Sequence, residues 1–229
     1  MNDSGNAYVQ EIMNVFSQQA DLDYAKWSKA YLRNQFEFIG IRAPIRRKFI
    51  KQVIKEHGLP KADELKHIVY SLWDLPEREY QQAALDLLEI GKRNLTAEDM
   101  SWLSTLIVKK SWWETVDVLA PRIFGHMFLK NPELVSIYPD KWIEDENFWL
   151  QRSAIIYQLK YKEKTDEQRL YRYILRRAGS EEFFIQKAIG WALREYAKTE
   201  PEHVRDFVSK HTLKPLSKRE ALKHLSKVT

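Results

Sequence analysis

Gln81, Gln151 and Gln186 stand at matching places in three segments, EYQQAALDLL (79–88), FWLQRSAIIYQL (148–159) and FFIQKAIGWAL (183–193). The first two glutamines are 70 residues apart and the last two 35, so a single unit of 35 residues accounts for both gaps. The missing member falls at position 116, inside WWETVDVLA (112–120). A unit of this length cannot bury an apolar face alone and must stack on its neighbours. The register therefore restricts the chain to a helical-repeat solenoid, provided the units are helical.

Helical spacing of apolar residues runs through the whole chain, whereas sustained alternation of apolar and polar residues is nearly absent. Tyr80, Ala84, Leu87 and Leu88 share one face, as do Phe184, Ala188, Trp191 and Ala192. Breaks fall at turn formers such as Gly40, Gly58 with Pro60, Pro76, Pro132, Gly179 and Pro201. Only 7 glycines occur, which leaves little material for tight β-turns. The expected fold is all-α, a HEAT-like helical-repeat solenoid with a concave DNA-binding groove. It should form one domain over residues 1–229, ending in a basic tail from about residue 214.

Composition removes several chemistries. The chain has no cysteine, so thiolate metal sites, iron–sulfur clusters and an alkyl-accepting thiol are excluded. His57, His67, His126, His203, His211 and His224 include no pair three or four residues apart, and no metal site is expected. No apolar run approaches a membrane span, and MNDSGNAYVQ does not resemble a signal peptide. A cytoplasmic, nucleoid-associated location without membrane attachment is expected. The formal charge is +5, with basic clusters at 42–51, at Lys109 and Lys110, at 169–177 and at 214–227. Solvated helix faces would account for any one of them, while several together could follow a phosphate backbone.

In the register, Gln82, Asp117, Arg152 and Lys187 occupy one position of successive repeats, and Trp113, Phe148 and Phe183 another. Trp191 lies one turn beyond Lys187. Trp113, Asp117, Arg152 and Trp191 should therefore gather on adjacent helices. A carboxylate beside aromatic walls suits a cationic ligand. Asp117 could instead be a surface acid or a simple salt-bridge partner of Arg152. Lys109, Lys110 and Ser111 precede the Trp-Trp helix and could meet a phosphate.

KSWWETVD (110–117), FWLQRS (148–153) and QKAIGWALRE (186–195), with FIGIRAPxRR (38–47) and Tyr31 before it, resemble the AlkD-type DNA glycosylases of the DNA alkylation repair superfamily. The resemblance implies Asp117 as catalytic carboxylate, Trp113 and Trp191 as an aromatic pair flanking the lesion, and Arg152 as the basic residue beside it. It implies DNA contact by Tyr31, with Arg42, Arg46, Arg47, Lys187 and Arg194 as further candidates. The activity implied is hydrolysis of the N-glycosidic bond of cationic N3- or N7-alkylated purines in double-stranded DNA. No cofactor is implied, and a monomer is expected. A non-catalytic HEAT-like DNA-binding or protein-scaffold relative is the alternative. Direct reversal of alkylation is excluded by the absence of cysteine and of a His-x-Asp iron motif.

Overall fold

The glutamine register has a bonding cause. In the computed structural model, which describes residues 3–223 and 225, each glutamine donates its side-chain amide to the carbonyl six residues before it. Gln81 reaches the Leu75 carbonyl at 2.8 Å, Gln151 that of Asp145 at 2.6 Å, and Gln186 that of Ser180 at 3.0 Å. The bond ties the entering loop to its helix. Leaving a buried partner unsatisfied costs about 1–3 kcal/mol, which explains why the position selects glutamine. At the intermediate place stands Val116, fully buried. There the residue six earlier, Lys110, has φ 50°, a left-handed backbone that few non-glycine residues adopt.

Two compact units divide the chain, Met1–Leu95 and Thr96–Thr229. The first comprises α1 (Asp3–Ser17), α2 (Leu22–Tyr31), α3 (Ala43–His57), α4 (Ala62–Asp74) and α5 (Arg78–Gly91). α5 packs on α3 and α4, and α1 on the same two helices. Their core holds Ile12, Phe16, Ile50, Leu72, Trp73, Leu87 and Leu88. Each such side chain contributes about 1.5–3 kcal/mol by leaving water. α2 differs: Asp21 caps it by accepting from the N–H groups of Asp23 and Tyr24, yet Ser28 is the residue it buries. The loop behind it is pinned by Glu79, whose carboxylate is 1% exposed and accepts from the N–H groups of Ile39, Gly40 and Ile41. Gly40 has φ 99°, and a Cβ there would lie 1.9 Å from the Asp21 carbonyl oxygen.

The second unit begins with α6 (Met100–Leu103), α7 (Thr105–Val108) and α8 (Trp113–Val118). A π-helical turn, Leu119–Phe124, joins α8 to α9 (Gly125–Lys130). Pro121 lies within it and has no N–H to give, and the wider winding absorbs that loss without ending the helix. Then follow α10 (Leu134–Ile137), α11 (Pro139–Trp142), α12 (Phe148–Ile156), α13 (Glu167–Arg177), α14 (Phe183–Tyr196), α15 (Pro201–Lys210) and α16 (Pro215–Leu222). α12 touches α7, α8, α11, α13 and α14. Much of the expected basic tail is α16, packed on α14. Its far end, with Lys227, lies outside the described residues, as does His224.

Polar bonds between helices repeat the sequence period. Arg46 to Gln82, Arg152 to Asp117, Tyr161 to Gly125 and Tyr173 to Asp140 span 36, 35, 36 and 33 residues. Each joins neighbouring repeats, as in an array with only nearest-neighbour interfaces. Among the described residues no strand occurs, and no helix is long and apolar enough to cross a membrane.

Candidate active site

Asp117 on α8 and Arg152 on α12 form a two-pronged ion pair. Arg152 Nε donates to Asp117 Oδ1 and Nη2 donates to Oδ2, each at 2.8 Å. The remaining Nη1 donates to the Phe184 carbonyl on α14 at 2.5 Å. One guanidinium thus fixes three helices at a point, a geometry that lysine could not reproduce. The Arg152 side chain is 5% exposed and that of Asp117 17%, so the carboxylate retains an opening to solvent. Two of its roughly four lone-pair directions are used, which leaves acceptors for a water.

Burial pushes the Asp117 carboxyl above the usual aspartate range. The charge and hydrogen bonds of Arg152 pull it down, and nearby Glu114 pushes it up again. The upward influence wins in sum. Without Arg152 the acid would hold its proton more strongly still.

Aromatic residues stand on the same three helices. Trp113 is half-buried on α8, one turn before Asp117, and Trp191 is half-buried on α14. Trp112 turns to a different set of rings, packing at 5.9 Å on Trp149 and 5.4 Å on Phe184. Its Nε1–H is buried and meets no acceptor among the described residues. Phe148 lies parallel to Phe184 at 6.2 Å, and Phe183 is 47% exposed. Phe184 and Trp149 carry no sequence signal of their own, because one acts through its carbonyl and the other through packing.

The expected DNA-contacting residues meet different surroundings. Lys109 is exposed and Lys110 half-buried, while Ser111 donates its hydroxyl to the Ile107 carbonyl at 2.6 Å. Lys187 and Arg194 both reach Glu220 on α16, at 3.2 and 2.8 Å. Burial pushes the Glu220 carboxyl up, but these two cations outweigh it and hold it below its usual range. In the first unit Arg46 is 7% exposed, bonded to Asp86 at 2.7 Å and to Gln82 at 2.5 Å. Arg42, Arg47 and Tyr31 are exposed, although Arg47 lies 3.6 Å from Asp86. Lys187, Arg194 and Arg46 thus have their charge shared with carboxylates inside the fold.

No curated protein matches the chain. Among solved structures, one described as a predicted DNA alkylation repair enzyme from Enterococcus faecalis is 35% identical to it, with a TM-score of 0.86. That match covers 92% of this chain and 98% of the other. The family model for DNA alkylation repair enzymes matches residues 12–225. The chain belongs to the DNA alkylation repair enzyme family.

Proposed function

We propose that this protein is a DNA glycosylase that hydrolyses the N-glycosidic bond of cationic N3- or N7-alkylated purines in double-stranded DNA. The observation that carries the reading is the Asp117 carboxylate, open to solvent on one side and held in a single orientation by a nearly buried arginine. An acid in a DNA-binding region opposes phosphate, and stabilising positive charge is the service that repays its presence.

An alkylated purine carries positive charge and leaves as a neutral base, taking the electron pair of the C1′–N bond. No general acid is required. The sugar left behind becomes oxocarbenium-like, and Asp117 stabilises it in a site where the low dielectric strengthens the interaction. Water attacks C1′, its proton passes to Asp117 or on to solvent, and an abasic site and free base result. Trp113 and Trp191 hold the cationic nucleotide through their ring faces. Arg152 orients the carboxylate and favours its ionised form against the effect of burial. Exposed Arg42, Arg47 and Lys109 meet phosphates.

A second reading takes the same ion pair as structural, in a relative that binds DNA without chemistry. Heavily methylated duplex DNA incubated with the protein separates the two. The glycosylase releases 7-methylguanine or 3-methyladenine, detected by chromatography, and Asp117→Asn loses at least about a hundredfold of that release. Duplex binding without any base release would support the second reading.

A further inference from the structure

The helix that carries Asp117 is seated on α12 at two points. At the first, Asp117 meets Arg152 through the two-pronged pair. At the second, eight residues on, Gly125 lies against the end of α12, where a Cβ would stand 2.5 Å from the Tyr157 carbonyl oxygen. Tyr161 closes that seat by donating its hydroxyl to the Gly125 carbonyl at 2.7 Å. Burial raises the Tyr161 phenol above its usual range, so it keeps the proton it donates. Both contacts require Asp117 and Gly125 to stand on one face of their helix. An α-helix turns about 100° per residue, so eight residues span roughly 800°, or two turns and about 80° over. In continuous α winding the two residues would therefore face different ways.

Between them lies the π-helical turn Leu119–Phe124, closed by a bond from the Gly125 N–H back to the Ala120 carbonyl, five residues earlier. A π-turn takes in about one residue more than an α-turn, which removes roughly 100° and brings Gly125 to within about 20° of the Asp117 face. We infer that this turn is a positioning element for the reaction: by absorbing one residue, it lets a single helix seat Gly125 on the end of α12 and still present Asp117 to Arg152. The inference rests on Asp117 being the catalytic carboxylate. Five of the six residues of the turn are buried and Arg122 is exposed, so the wide winding is set inside the core. Pro121 acts from within the turn. It has no N–H to offer the Asp117 carbonyl four residues earlier, which removes one of the bonds that would favour α winding.

The test changes the length of the turn in the full-length protein. Deleting Pro121 places the two seats seven residues apart, roughly 700°, which is close to two α-turns. Inserting one alanine after Pro121 places them nine apart, and roughly 80° then stays unabsorbed by a single wide turn. The first readout is the Arg152 Nε–H, which its bond to Asp117 protects from exchange. Nitrogen-edited NMR follows it, and Arg152→Lys assigns the signal by its loss. Protection should survive the deletion and vanish with the insertion. Single-turnover base release should stay within about tenfold of the wild type in the deletion and fall about a hundredfold in the insertion. The acid limb of its pH–rate profile should stay in place in the deletion and move to higher pH in the insertion, where Asp117 loses Arg152. Equal damage or equal tolerance in the two variants, each shown to be folded by circular dichroism, overturns the inference. Where a length variant does not fold, Tyr161→Phe decides. It should weaken protection of the Arg152 N–H by releasing the Gly125 end, and unchanged protection overturns the inference. The NMR readout needs no chemistry, so a wild type that releases no base would defeat the glycosylase reading and leave the turn to be judged by Arg152 alone.

Discussion

At Asp117 the environment works in opposite directions. Burial favours the neutral acid, Arg152 favours the carboxylate, and the balance lies above the ordinary aspartate range. The mechanism needs the ionised form, so base release should fall as pH drops through the raised value, earlier than for a solvated aspartate of pKa about 3.9. Arg152→Gln removes the one influence that lowers it, and the acid limb of the pH–rate profile should move to higher pH. A purely structural role would lower the rate at every pH and leave the limb in place. The 35-residue spacing made this pair legible in the sequence, because equivalent positions on neighbouring helices face each other. The third acceptor of Arg152, the Phe184 carbonyl, was not legible, since a backbone acceptor leaves no mark in residue type.

Among the elements, the repeat is written in glutamines whose bonds are local, six residues back, and local bonds are what sequence shows best. The proline inside the Asp117 helix signals an interrupted ladder, but not that a π-turn would absorb it and carry the helix on to residue 130. The docking of α16 was equally hidden. It depends on Gly190, where a Cβ would stand 2.4 Å from the Glu220 Cβ and 3.0 Å from the Ser217 carbonyl oxygen. Gly190→Ala should destabilise the protein by about 1–3 kcal/mol, read as a lower denaturant midpoint, by forcing α16 off α14. An unchanged midpoint would mean that the two helices yield without cost. Tyr24, Trp27 and Tyr31 share a face by their spacing alone, yet spacing does not tell whether such a face is covered or open.

For the molecule as a whole, clusters of charge along the sequence prove to be of two kinds. Arg169, Arg172 and Arg176 meet Asp140 and Glu144 about one repeat earlier, which neutralises the cluster within the fold. Arg42, Lys48 and Lys51 stay exposed, whereas Arg46 is buried against Asp86, and Arg47, though exposed, lies 3.6 Å from the same acid. A count of basic residues could not separate these cases, because the neutralising acids lie some thirty positions away. Duplex affinity should therefore fall linearly with salt on logarithmic axes, and Arg42→Ala or Lys48→Ala should each reduce that slope by about 1. Arg172→Ala should leave the slope unchanged. Equal effects from all three would show that the internal ion pairs open on binding.

The central claim is that Asp117 drives rupture of the C1′–N bond, and single-turnover release of 7-methylguanine from a duplex containing one such lesion tests it most directly. With enzyme in excess over DNA and no added metal, the wild type should release the base. Asp117→Asn should bind the same duplex within a fewfold of the wild type and release base at least about a hundredfold more slowly. Release by the variant at the wild-type rate would contradict the account and return Asp117 and Arg152 to a structural ion pair.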